Sequence, residues 1–162
     1  MAYEFYVTVE GTKQGKWKQE TPREKHTNKI PGISFHYNVR SPRDAASGQA
    51  SGKRVHQPVS FVKQWGPSTP QFFQALCTNE SLKSVLFEFV KTDKNGEEYI
   101  YHTIKLVNAT VSEIDQYLNG DAGADPSHDV HELEKISFTF QRIEMENKDG
   151  KTMAVDDWYH GA

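Results

Sequence analysis

The sequence predicts a mainly β protein, an antiparallel β-barrel (or a sandwich close to it) of about eight strands with one short flanking α-helix. Three observations lead there. Apolar and polar residues alternate in short runs along most of the chain, which is the period of a half-buried strand. Turn-forming tetrapeptides, Asp93-Lys94-Asn95-Gly96 and Asn147-Lys148-Asp149-Gly150, sit between such runs. Helical spacing is confined to one stretch near the middle. So many strands leave edges to hide, and closing the sheet is an economical way to hide them.

Residues 3–10 place Tyr3, Phe5, Val7 and Val9 on one face and Glu4, Tyr6, Thr8 and Glu10 on the other. A polar excursion over residues 11–29 surrounds Trp17. In residues 33–40, Ile33, Phe35, Tyr37 and Val39 oppose Ser34, His36, Asn38 and Arg40, so one face of that strand is wholly polar. Residues 41–52 hold small and turn-forming types without apolar periodicity and read as a mobile loop. A strand then covers about 53–65. Pro58 lies inside it and has no N–H for a ladder, so that point belongs at an edge or a bulge.

The helix opens with Thr69 as N-cap and Pro70 in the first helical position, where a missing N–H is harmless. Phe72, Phe73, Leu76 and Cys77 give it an apolar face, and it ends near Asn79. Strand periodicity resumes at Ser84, reverses at residues 93–96, returns over 97–107, breaks at Asn108 and continues over 109–118. A Gly-, Asp- and Pro-containing loop covers 119–129. The last hairpin pairs 132–146 with 153–158.

With 162 residues and no shift in composition, residues 1–162 are expected to form a single domain around one core. Nine Phe, seven Tyr and three Trp supply the apolar area in large pieces. The charges, 19 Lys+Arg against 22 Asp+Glu, are scattered, so no footprint for nucleic acid or an anionic membrane emerges. Residues 1–9 lack the basic and apolar runs of a signal peptide, and nothing is long and apolar enough for a membrane-spanning helix. Direct membrane insertion is not expected. Cys77 has no partner for an internal disulfide and reads as a small buried hydrophobe in a protein that folds in a reducing cytoplasm.

The residues with chemical potential do not assemble into a site. His128 and His131 are three apart but lie beside Asp125-Pro126-Ser127, which favours loop, and no Cys or further His completes a metal set. Asp121, Asp125 and Asp129 lack the glycine and closing glutamate of a calcium loop. There is no Gly-x-Ser-x-Gly elbow, no phosphate-binding glycine loop, and Cys77 is placed on an apolar helix face. Asp156 and Asp157 point to opposite faces of a strand, which argues against paired acid–base work. No catalytic residue, metal ligand or cofactor site is therefore assigned.

Several segments, in their shared order, resemble the haemolysin-coregulated protein (Hcp) family of type VI secretion. Residues 47–58 form a Gly/Ser loop running into Arg54-Val55-His56-Gln57-Pro58. Ser68-Thr69-Pro70 opens a helix carrying Phe72, Phe73, Ala75 and Leu76, and Asn108-Ala109-Thr110-Val111 is similar to the family's strand entry after a long hairpin. Residues 133–143 resemble its penultimate long strand, and Asp156-Asp157-Trp158 its closing motif. The match is loosest over residues 11–32.

The resemblance implies a homohexamer, a ring that stacks with others into a hollow tube inside a contractile sheath and beneath a spike protein, and that carries small effector proteins in its lumen. It implies a start in the bacterial cytoplasm and export through the type VI apparatus without a cleaved signal peptide. Ser34, His36 and Asn38 then become candidates to face the lumen, the alternative being an ordinary solvent face. Ser47, Gly48, Gln49, Ser51 and Gly52 become candidates for a ring-contact loop, the alternative being plain surface. A rival reading from another class is a small-ligand or carbohydrate-binding β-barrel with Trp17, Trp65 and Trp158 as an aromatic platform.

Overall fold

The computed structural model describes residues 5–17, 29–119 and 131–158, and for Asn119 and His131 the backbone only. Its elements in chain order are β1 (Phe5–Gly11), β2 (Gly15–Lys16), β3 (Ile30–Gly32), β4 (Ser34–His36), β5 (Val39–Arg40), β6 (Val55–His56), β7 (Val59–Gln64), α1 (Thr69–Thr78), β8 (Leu82–Thr92), β9 (Glu98–Asn119), β10 (His131–Thr139), β11 (Arg142–Asn147) and β12 (Thr152–Asp157). The twelve strands among the described residues exceed the expected eight because long periodic runs are cut. The run over 33–40 breaks at residues 37–38, that over 53–65 breaks at Gln57–Pro58, and that over 132–146 breaks at Phe140–Gln141. Pro58 sits at one of those cuts, as a residue without a ladder donor should.

One expected break turns out to be a kink. Asn108 takes a left-handed φ of 50°, yet β9 runs through it for 22 residues. Its first half pairs with β8 and β11, and its second half with β10. A single strand thereby belongs to two sheet halves: β2, β3, β1, β8, β11 and β12 lie with the first, and β10, β7 and β4 with the second. All pairings are antiparallel.

The expected closed barrel does not form among the described residues. The hydrogen-bonded path runs β2-β1-β8-β9-β10-β7-β4 without returning to its start. Residues 30–36 come nearest to closing it, since β3 pairs with β1 and β4 with β7. They switch partners at Ile33, whose N–H donates to the Val62 carbonyl at 2.8 Å. Each part of the bent segment is therefore paired on one side only.

The two halves meet across an aromatic core. Phe35 and Phe87 have ring centroids 5.0 Å apart, Phe61 and Phe87 5.6 Å, and Phe61 and Phe138 5.9 Å. Each fully buried ring is worth about 1.5–3 kcal/mol of transfer free energy, so this cluster joins the halves more firmly than any one ladder. Helix α1 adds Phe72, 4.2 Å from the Trp17 ring and in contact with Phe61 and Phe138.

Some details differ from the expectation. Ser68, not Thr69, occupies the N-cap, and the αL residue Asn79 closes the helix. The buried face is Phe72 and Ala75, while Phe73 (59% exposed) and Cys77 face outward, because only the side turned to the sheets is covered. Tyr6, expected on the polar face, is fully buried.

Two polar anchors hold the helix. Lys63 Nζ and a Glu134 carboxylate oxygen lie 2.8 Å apart with both side chains at zero exposure. The Thr69 hydroxyl donates to the same carboxylate at 2.8 Å, and Gln116 Nε2 to its other oxygen at 3.1 Å, so the buried charges are bonded as well as paired. Beyond the C-terminus, the buried Glu80 carboxylate accepts the backbone N–H groups of Lys13 and Gln14 and the Gln14 side-chain amide. A side chain at Gly11 would collide with that carboxylate.

Candidate functional site

Antiparallel register sets Ser34 and His36 in two rows across the second sheet half. Ser34 lies opposite Val62, then Lys135, then Asp115, while His36 lies opposite Ser60, then Ser137, then Glu113. Directly opposed residues share a face, so Ser34 and His36 lie on the same face as the exposed Lys135, Asp115 and Glu113, with Val62 and the buried Ser60 and Ser137 between them. Both are exposed. Asn38 is exposed but lies outside β4, with its carbonyl accepting the Gln57 N–H at 2.9 Å.

Residues 41–52, expected as a mobile loop, form the tip of an arm whose stem is the β5–β6 pair. The Asp44 N–H donates to the Gln49 carbonyl, Gly48 N–H to the Asp44 carbonyl, and Ser51 N–H to the Pro42 carbonyl, at 2.8 to 2.9 Å. The Asp44 carboxylate accepts the Ser47 hydroxyl at 2.8 Å and the Ala46 N–H at 3.2 Å, and these bonds, the Ser47 one foremost, hold its carboxyl below the usual range. Gly48 turns the chain at φ 73°, where any Cβ would be strained. Ser47, Gly48, Gln49, Ser51 and Gly52 are all exposed on this tip.

At the base of the arm, three elements converge on His56. The Tyr37 hydroxyl lies 2.6 Å from His56 Nδ1, and Asp156 Oδ2 lies 2.6 Å from His56 Nε2. Asp156 is an acceptor, so Nε2–H donates to it, while Nδ1 shares a hydrogen bond with the Tyr37 hydroxyl. Arg54 Nε donates to the same Asp156 oxygen at 2.5 Å, and its Nη2 donates to the Asp157 carbonyl at 3.0 Å. Hydrogen bonding from Arg54 in the first place, and from His56 in the second, holds the Asp156 carboxyl below its ordinary value against the opposing effect of burial. The Phe140 and Trp158 rings lie 5.3 Å and 5.2 Å from the imidazole.

The order Asp156–His56–Tyr37 is that of an acid–base relay, but its far end is unsuited to attack. Burial first, and the Asp156 carboxylate second, push Tyr37 up to about 12. A nucleophile or general base needs the opposite shift. These bonds clasp Tyr37, Arg54 and His56 of the arm to Asp156 of β12. Beside it an apolar groove of about 240 Å³ runs between Val39 of the arm and Ile143, Met145, Ala154 and Val155 of the last hairpin.

Strand β12 forms an edge. It pairs with β11 alone among the described residues, and its Met153 and Val155 are 60% and 46% exposed. The three tryptophans do not gather into a platform: Trp17 packs on Phe72, Trp65 donates to the Leu133 carbonyl at 2.8 Å, and Trp158 packs on His56. His128, Asp121, Asp125 and Asp129 lie outside the described residues. Among the described residues no group of three or more His, Cys, Asp or Glu side chains is placed to hold a metal ion, and no helix is long and apolar enough to cross a membrane.

The clasp residues were missed as a site from sequence. A signal existed, because Arg54 and His56 belong to the Arg-Val-His-x-Pro segment and Asp156 to the Asp-Asp-Trp segment. Nothing in the spacing of the two segments, about 100 residues apart, announces that they touch.

These features define an antiparallel β protein with a largely polar sheet face, an arm, and, among the described residues, an edge strand at β12. The family described as type VI secretion system effector, Hcp, matches residues 6–146. The Major exported protein of Pseudomonas aeruginosa is 30% identical over 167 residues, covering 98% of this chain and 96% of that relative. Among solved structures, an Hcp protein superposes with a TM-score of 0.89 at 28% identity over 99% of this chain and all of that one. Secreted protein Hcp3 of P. aeruginosa gives 0.78 at 26% identity over 97% and 99%. The chain belongs to the Hcp family of type VI secretion.

Proposed function

We propose that the chain is a structural tube subunit that closes into hexameric rings, that the rings stack into a hollow exported tube, and that small effector proteins ride in its lumen. The observation that carries this reading is the edge strand β12, with no partner beyond β11 among the described residues and with Met153 and Val155 exposed. An open apolar edge is a liability in a monomer and an asset in a ring, where a neighbouring subunit covers it. In this reading Ser34 and His36, with Lys135, Asp115 and Glu113 in the same rows, line the conduit, and Asn38 lies at its margin. A polar lining stays wetted and does not adhere to passing cargo. The tip residues Ser47, Gly48, Gln49, Ser51 and Gly52 meet the adjoining ring.

The tube works with a spike protein and a contractile sheath, starts in the bacterial cytoplasm, and leaves through the type VI apparatus without a cleaved signal. In this reading its role is structural and not catalytic. Electron microscopy of the purified chain tests the architecture: six-fold rings with a central hole are expected, and compact particles without a hole would overturn it.

A further inference from the structure

The arm stem, β5–β6, is hydrogen-bonded to no other strand among the described residues. A two-stranded ribbon is marginal alone, and no backbone ladder fixes its angle to the body. Among the described residues, the side-chain bonds that meet on His56 and Asp156, the Arg54 bond to the Asp157 carbonyl, and the rings of Phe140 and Trp158 packed against them join the arm to the body.

We propose that Tyr37, Arg54, His56 and Asp156 form a strap lock, a relay that sets the arm against β12 and whose opening frees residues 37–56 while both sheet halves stay intact. Tyr37 and Asp156 hold different nitrogens of one imidazole. Losing either bond lets the ring turn away from the other, so the two bonds stand or fall together. Asp157 enters through its backbone carbonyl, which accepts from Arg54, and lies opposite Arg142 in the β11–β12 ladder. The lock also builds the groove, since Val39 on one wall belongs to the arm, and Ile143, Met145 and Val155 on the other belong to the last hairpin. Opening the lock dismantles the groove. The proposal concerns the arm within each subunit and holds whether or not rings form.

Hydrogen exchange on the full-length chain in its native assembly tests it, with Tyr37→Phe, Asp156→Asn and the double variant. The reporters are the amides of Asp44, Gly48, Ser51 and Gln57, which are bonded within the arm. Each single change should speed these amides about tenfold while the β8–β9 ladder keeps its rates. The double variant should stay near that value, short of the roughly hundredfold that two independent bonds would give. Tyr37→Phe removes only a hydroxyl and keeps the ring against Phe140, which guards against a variant that fails to fold. Arm amides at wild-type rates in both single variants, equal acceleration throughout the sheet, or additive effects in the double would each overturn the lock.

Discussion

Two ionic clusters in this molecule use similar groups for different ends. Lys63 and Glu134 sit at zero exposure, roofed by the start of α1, whereas Arg54 and Asp156 keep 24% and 33% of their side chains in contact with solvent. Water screens the second pair and cannot reach the first. The buried pair therefore bears on whether the chain folds, and the partly exposed clasp on where an appendage of the folded chain points. Position in the fold, more than residue type, decides what a charge pair does.

The largest effect that sharpens this contrast is expected at the buried pair. Lys63→Met strands the Glu134 carboxylate without its cation and should lower unfolding stability by about 3–5 kcal/mol in urea denaturation. Adding Glu134→Leu should restore most of it, because two apolar residues of similar volume remove the stranded charge. If the single and double variants were equally unstable, packing rather than charge would account for the site.

A middle-sized effect is expected at Glu80. Burial alone would raise its carboxyl, but the Gln14 and Lys13 amides, the Gln14 side chain and the Lys13 charge together hold it below the ordinary value. A depressed carboxylate stabilises the fold fully above its unfolded pKa, and that contribution is lost as pH falls through the lower folded value. Glu80→Gln should thus cost about 2 kcal/mol at neutral pH and flatten the loss of stability seen below about pH 4. Asp156 has the same sign, so Asp156→Asn should remove acid sensitivity from the arm amides while leaving the denaturation midpoint nearly unmoved.

The smallest effect on the fold is expected at the arm tip. Deleting residues 44–51 should change stability by less than about 1 kcal/mol, since the tip buries no core residue and surface loops tolerate length changes. Export should fail nonetheless if the tip meets the adjoining ring. Normal export of this deletion, assayed in culture medium, would reduce the tip to plain surface.

Much of the fold was legible because period-two alternation survives in the sequence. Val85, Phe87 and Phe89 announced β8, and Asp93-Lys94-Asn95-Gly96 its reversal, which the structure makes with Gly96 at φ 79°. The bend at Ile33 was not legible, since alternation runs through it unbroken and only the competition of β1 and β7 for one segment divides it. Phe73 and Cys77 misled because helical spacing identifies an apolar stripe but not how wide a stripe the sheets will cover. Ser34 and His36 could be read as one polar face, yet the width of that face depends on the register of β7, β10 and β9. The clasp was illegible for a similar reason: His56 and Asp156 become neighbours only after β12 folds back along β11.

The claim on which the functional reading depends is that the exposed edge of β12 is covered by another copy of the chain. Light scattering on the purified protein at micromolar concentration measures this directly. The expected mass is about six times the 18.5 kDa of one chain, falling toward a single chain when Met153 and Val155 are both changed to Asp. A monodisperse wild-type species at 18.5 kDa would contradict it.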